Sequence, residues 1–220
     1  MAELLMKDTR ERIRCGKIVA LARTYRKHAE EMHAELPPDP VLFLKPASAV
    51  IHDGGTVVLP TRSQDVHHEV ELGIVIGDRC SHIPEEGALD HVLGYLLGLD
   101  LTARDVQAEA KKKGLPWSIA KGFDTFAPLS PIIPQDAVPD PHDLDLELRV
   151  NGQVRQSSNT RNMVHSVARI ISFVSDIMTL ERGDVILTGT PEGVGPVVDG
   201  DVLEASLGDL LTIKVDAKRS

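Results

Sequence analysis

His67-His68-Glu69-Val70-Glu71-Leu72-Gly73-Ile74-Val75-Ile76 places two carboxylates two residues apart inside an otherwise apolar run. Side chains on a strand alternate between faces, so Glu69 and Glu71 share one face while Val70, Leu72, Ile74 and Ile76 fill the other. The pattern predicts a core strand. Two like charges side by side in such a strand repel and push at least one pKa upward, so they need a positive partner. A hard divalent cation is the simplest one. The competing reading is an edge strand with its acids in water. Against it, the apolar run continues past the acids, and a second run, Tyr95-Leu96-Leu97-Gly98-Leu99, ends at Asp100. Glu69, Glu71 and Asp100 therefore predict a Mg²⁺ or Mn²⁺ site with room for water and substrate, since an all-oxygen set accepts either ion. His67 shares their parity and reads as a fourth ligand or, at least as well, as a supporting or solvent-facing side chain.

Outward from this strand, the chain alternates short strands with turn signals and few helices. Strands are predicted at Lys17–Ala22, Val41–Leu44, Thr56–Pro60, Tyr95–Asp100, Leu144–Val150 and Asp184–Thr188. A closing hairpin is predicted over Val202–Leu207 and Leu211–Val215, and Asn151-Gly152 is a strong hairpin turn signal. Helices are predicted from Tyr25 to about Glu35, near 85–92, from Thr102 to about Lys113 and over Ser166–Met178. Leu36-Pro37-Pro38-Asp39-Pro40 stops the first of these. The polar first sixteen residues read as a short helix or a frayed arm. An α+β, mostly β domain fits this order better than a regular βαβ sheet.

Composition narrows the function classes. At 220 residues the chain suits one domain, residues 17–220, behind an N-terminal arm over 1–16. A net charge of −9 argues against non-specific binding to nucleic acid or an anionic membrane. Cys15 and Cys80 form no motif, which points to a reducing compartment. Neither a signal peptide nor an apolar run of about 18 residues is visible, so a cytoplasmic protein without a membrane span is expected.

Several residues could do chemistry. His28 and Glu31, three apart on the first predicted helix, can touch, and a Glu that orients a His makes a general base. Glu30 and His33 lie close enough that spacing alone leaves the pairing open. Lys45, Arg104 and Lys121 adjoin apolar segments, and Gln107 follows Arg104 by one turn. The loop Thr188-Gly189-Thr190-Pro191-Glu192-Gly193-Val194-Gly195-Pro196 lets a backbone approach a ligand, with Thr190 offering a hydroxyl and an amide. It lacks the Gly-Lys-Ser/Thr ending of a phosphate loop, and its prolines deny it the helix of a dinucleotide fingerprint, which disfavours a nucleotide-binding module. A fold-locking structural metal site is the remaining alternative to catalysis.

Taken in order, these segments resemble the fumarylacetoacetate hydrolase family, in its short single-domain branch of acylpyruvate hydrolases and oxaloacetate decarboxylases. The resemblance rests on Tyr25-x-x-His28-x-x-Glu31, Phe43-Leu44-Lys45-Pro46, His67-His68-Glu69-Val70-Glu71-Leu72 and Leu99-Asp100-Leu101-Thr102-Ala103-Arg104-Asp105-Val106-Gln107. It continues through Lys113-Gly114-Leu115-Pro116-Trp117, Ala120-Lys121-Gly122-Phe123 and the glycine-rich loop. It implies the family's mixed β-sheet roll with a few short helices, and a homodimer. By resemblance Glu69, Glu71 and Asp100 are the metal ligands, for Mg²⁺ or Mn²⁺. His28 and Glu31 are a catalytic dyad, Lys121 steadies the substrate, and Lys45, Arg104, Gln107 and Thr190 contact it. One departure stands out: the family commonly has Gly-x-Asn-Tyr where this chain has Ala22-Arg23-Thr24-Tyr25.

The implied substrate is a small 2-oxo acid. The expected reaction is hydrolysis of the carbon–carbon bond of an acylpyruvate, a 2,4-dioxo acid, to pyruvate and a carboxylic acid. Decarboxylation or keto–enol tautomerisation of oxaloacetate is the alternative at the same site.

Overall fold

A computed structural model describes residues 2–9, 11–31 and 35–220. The acid-bearing run forms the strand Val70–Ile76, which lies inside a six-stranded mixed sheet rather than at its edge. Across that sheet the order is Ile133–Pro134, Val92–Leu99, Val70–Ile76, Val185–Leu187, Ile18–Ala22, Val41–Lys45. Only Val185–Leu187 and Ile18–Ala22 run parallel; the other neighbours are antiparallel. Every residue of Val70–Ile76 is buried, so both faces of the sheet are covered.

One face, carrying Val70, Leu72, Ile74 and Ile76, packs against a five-stranded sheet ordered Gln153–Asn159, Asp145–Val150, Val202–Leu207, Leu211–Arg219, Thr56–Leu59. Leu146, Leu148, Leu203 and Ile213 of that sheet join this core, as do Ile170, Ile171 and Val174 of the helix Val167–Ile177. The Ser166 hydroxyl accepts from Arg169 N and caps that helix. Asn151 and Gly152 both have positive φ, 53° and 77°, as a tight hairpin turn demands.

The opposite face is where the sequence reading needs correction. Among the described residues of 1–16, strands stand where a short helix or a frayed arm was expected. Glu3–Leu5 and Arg12–Arg14 pair as antiparallel strands. Leu4 and Ile13 then sit in a second core with Ile18, Ala20, Val75, Leu96 and Leu187.

Two further boundaries matter for the site. The strand predicted over 67–76 breaks at Glu69: Val66–His68 leaves the large sheet to pair with Thr102–Ala103 and Gly195–Val197. The helix after Asp100 begins at Arg104 and ends at Lys113, closed by Gly114 in the left-handed region. The helix predicted from Tyr25 spans Arg26–Glu31, and the continuation over 32–34, His33 included, lies outside the described residues. Among the described residues no helix is long and apolar enough to cross a membrane.

Candidate active site

Glu69, Glu71 and Asp100 converge at the end of the paired strands Val70–Ile76 and Val92–Leu99. Each offers a carboxylate oxygen within 4.8 Å of the others, and all three residues are buried. The antiparallel pairing sets Asp100 beside Glu69, and Asp100 N donates to Glu69 O at 2.8 Å. The predicted triad is thus one cluster.

Three cations of the chain surround it. Lys45 Nζ donates to Asp100 Oδ1 at 2.7 Å. Lys121 Nζ donates to Glu69 Oε2 at 2.8 Å and also to Asp100, while the Arg104 guanidinium donates to Glu69. Burial acts against every one of these charges, and the neighbours decide the outcome. Burial raises the Glu69 pKa, but Lys121 and Arg104 outweigh it and hold it below the ordinary carboxylate range. For Glu71 burial is joined by Asp100 and Glu69, and its pKa rises well above that range. Lys121 keeps its charge: Asp100 and Glu69 overcome the burial penalty and raise its pKa.

Two polar atoms disclose what this arrangement is built to meet. Glu71 Oε1 is buried without a hydrogen-bond partner, although Glu71 Oε2 accepts from Gly189 N at 2.7 Å. An orphaned acceptor among three clustered carboxylates fits a hard divalent cation. Arg104 Nε is likewise buried without an acceptor, and an orphaned guanidinium donor fits an anion. Glu69, Glu71 and Asp100 are the residues that could hold a metal ion here.

His28 and Glu31 lie on the helix Arg26–Glu31, and His28 Nδ1 donates to Glu31 Oε2 at 3.3 Å. That leaves Nε2 as the basic nitrogen. Glu31 is held in turn by Gly193 N, 3.2 Å from each carboxylate oxygen. The glycine-rich loop therefore grips two site acids through its backbone, Gly189 on Glu71 and Gly193 on Glu31. Neither glycine is replaceable at low cost. A Cβ on Gly189 would lie 2.0 Å from Thr24 Oγ1, and one on Gly193 would lie 2.2 Å from Arg155 O.

A cavity of about 470 Å³ reaches the triad at Glu69, and its lining includes His28, Glu69, Arg104, Gln107, Lys121 and Thr190. Arg104 NH1 donates to Gln107 Oε1 at 2.9 Å, which fixes both side chains on one helical turn. Thr190 lines the cavity with its hydroxyl already engaged, donating to Val70 O at 2.9 Å. Lys45 does not line it: all three of its donors are used behind Asp100, on Asp100, Leu101 O and Lys121 O. A wholly buried ammonium with those partners supports the acid and reaches no ligand. His67 does not join the triad either, and pairs with Asp65 at 2.9 Å.

Gln156, on the neighbouring five-stranded sheet, escaped the sequence reading. Its Oε1 accepts from His68 Nδ1 at 3.0 Å and from Val70 N at 3.1 Å, on either side of Glu69. Its Nε2 donates to Thr190 Oγ1 at 2.8 Å and Pro191 O at 3.0 Å. Val70 N–H can only donate, which settles the orientation of the amide. The only signal in the sequence is a lone glutamine on a predicted hairpin strand, which spacing cannot connect to residues more than eighty positions away.

Residues 17–216 match the family described as Fumarylacetoacetate (FAA) hydrolase C-terminal, and the chain belongs to that family. It is 50% identical over 202 residues to oxaloacetate tautomerase FAHD1, mitochondrial, of Bos taurus, covering 92% of this chain and 91% of the relative. The structure of fumarylpyruvate hydrolase from Pseudomonas aeruginosa in complex with Mn²⁺ and pyruvate superposes with a TM-score of 0.94 at 34% identity, covering 100% of this chain and 96% of that one. The structure of 5-carboxymethyl-2-hydroxymuconate delta-isomerase from Mycobacterium smegmatis does so with 0.85 at 45% identity, covering 95% and 81%. The relatives are enzymes, hydrolases and isomerases, on the same mostly-β fold.

Proposed function

We propose that this protein is a divalent-metal-dependent enzyme of small 2-oxo acids, and that its principal reaction is keto–enol tautomerisation of oxaloacetate. The observation that carries the proposal is the cavity lined by both His28 and Glu69, the latter clustered with Asp100 and with Glu71, whose Oε1 is without a partner. The roughly half-identical oxaloacetate tautomerase supports the choice of substrate. Glu69, Glu71 and Asp100 would hold Mg²⁺ or Mn²⁺, which would supply Lewis-acid charge to the oxygens of a 2-oxo acid. Arg104, with Gln107 beside it, binds the substrate carboxylate through the free Nε donor. Lys121 places a fixed positive charge where the carbonyl oxygen gains negative charge. His28 Nε2, oriented by Glu31, takes the proton from C3, and the carbonyl oxygen gains one as the enol forms; the reverse sequence restores the ketone.

The same residues support hydrolysis of acylpyruvates as a second reaction, and the His28–Glu31 pair is what favours it. His28 would deprotonate a water that attacks the distal carbonyl. The carbon–carbon bond then breaks, and its electron pair leaves with the pyruvate enolate, which is protonated to pyruvate.

The test runs oxaloacetate tautomerisation and pyruvate release from acetylpyruvate in parallel, each with Mg²⁺, Mn²⁺ and excess EDTA. Metal-dependent turnover of oxaloacetate that His28→Ala removes supports the principal reading. Turnover of acetylpyruvate alone moves the assignment to hydrolysis, and turnover of neither ends it.

A further inference from the structure

Four cations line the cavity: Arg23, Arg104, Lys111 and Lys121. Arg104 and Lys121 are engaged by Glu69 and Asp100. Arg23 and Lys111 form no ion pair among the described residues. They also belong to neither the triad nor the dyad.

Lys111 is exposed and Arg23 half-buried, and both line the cavity. Three lysines end the helix Arg104–Lys113, and Lys113 pairs outward with Glu109 at 3.2 Å. Lys111 lines the cavity instead, its ammonium 5.1 Å from the centre of the Trp117 ring. Arg23 is half-buried and held at φ 60°, a backbone region that a long side chain adopts only at some cost. The two face one another closely enough to matter. Partial burial, then Arg104, then Arg23 push the Lys111 pKa below the usual lysine range. Only two carboxylates share the lining: Glu69, already held by two cations, and Glu35, exposed on the rim. Between the triad and this rim run the rings of Phe43 and Trp117, 5.8 Å apart, an apolar wall suited to a short carbon chain.

We propose that Arg23 and Lys111 form a subsite for a second carboxylate, at the end of the substrate remote from its 2-oxo acid head, and so select dicarboxylic over monocarboxylic 2-oxo acids. The proposal rests on the reading above for the position of the head at Arg104 and the triad. Positive charge left without a partner around a partly enclosed space repels itself, and an anion placed there relieves that repulsion. An arginine adds the paired donors that hold a carboxylate in a fixed direction.

The test needs no turnover. Affinities of the Mg²⁺-loaded protein are measured by calorimetry for 2-oxoglutarate and 2-oxopentanoate, which share chain length and head and differ in the terminal carboxylate. The wild-type protein is expected to prefer 2-oxoglutarate at least tenfold. Arg23→Gln with Lys111→Gln is expected to bring the ratio near unity, whereas Lys113→Gln, on the outer face, keeps it. Circular dichroism melting checks that the double variant folds. If it does not, Arg23→Lys and Lys111→Gln are measured singly, and each is expected to lower the ratio. Equal wild-type affinities, no binding of either acid, or a ratio that survives the substitutions would overturn the subsite. A preference that persists in a protein turning over neither oxaloacetate nor acetylpyruvate would keep the subsite and reject the proposed reaction.

Discussion

Gln156 Nε2 donates to Thr190 Oγ1 across 2.8 Å, and through that bond a strand of the five-stranded sheet grips the loop leaving the six-stranded one. The same amide accepts from residues flanking Glu69. Gln156→Leu keeps approximate volume and removes four hydrogen bonds, leaving the buried Val70 N–H, His68 Nδ1–H and Pro191 carbonyl without that partner. At about 1 kcal/mol or more for each stranded group, a loss of about 3 kcal/mol is expected. For a chain of this length that lowers Tm by roughly 6–12 °C. Affinity for Mg²⁺ should fall about 10–100-fold as the Glu69 segment loosens. Thermal melting and a Mg²⁺ titration read the two effects, and an unchanged metal affinity would confine Gln156 to stability.

Glu71→Gln replaces the acid whose pKa burial and its two acidic neighbours raise with a permanently neutral amide, while keeping the acceptor that Gly189 N uses. In EDTA the variant is expected to melt at or above the wild-type temperature. Added Mg²⁺ or Mn²⁺ should stabilise the wild-type protein, by about 2.7 kcal/mol at a hundred times Kd, and leave the variant where it was. A variant that still responds to metal would remove Glu71 from the ligand set.

Gly193→Ala forces a Cβ against Arg155 O at a residue with φ 91°. The loop must shift, and the amide that holds Glu31 shifts with it. The expected result is a stability loss of about 1–3 kcal/mol. The expected fall in kcat is about tenfold or more, because an unsteadied His28 is a poorer base. Metal affinity should be preserved. Loss of metal binding together with kcat would mean that the loop collapses as a whole.

Asp105 pins the loop before the acid strand to the helix carrying Arg104 and Gln107. It accepts from Ser63 Oγ at 2.6 Å and Gln64 N at 2.9 Å. Burial works against its charge, but these bonds outweigh it and lower its pKa. A carboxylate with a depressed folded-state pKa adds stability above its unfolded pKa, and that stability is lost as pH falls through the folded value. Asp105→Asn should therefore cost about 1 kcal/mol at pH 7, a figure kept small because the group is only partly buried. The gap from wild type should narrow below about pH 4. Urea unfolding at pH 7, 5 and 3 measures it; a gap constant across that range would assign the cost to shape rather than charge.

The acid triad was legible because its information is local. Two-residue periodicity put Glu69 and Glu71 on one face, and Asp100 closes the strand that pairs with theirs. The Asn151-Gly152 turn and the helix from Ser166 were legible for the same reason. The N-terminal hairpin was not, since its strands are three residues long and carry one buried side chain each, Leu4 and Ile13, among charges. Lys45 was placed at the substrate by the family resemblance alone, and the crossing of chains that buries it behind Asp100 leaves no trace in spacing. Gln156 depends on how two sheets stack, which no window of sequence contains.

Lys45, Lys121 and Arg104 donate to Glu69 and Asp100, and none of them donates to Glu71 among the described residues. Glu71 is thus the acid left without a cation of the chain, one oxygen held by Gly189 N and the other without a partner. A cation arriving at the triad would compete with Lys121 and Arg104 at Glu69 and with Lys45 and Lys121 at Asp100, and would meet no such competitor at Glu71. Loading is then an exchange between competitors at Glu69 and Asp100 alone.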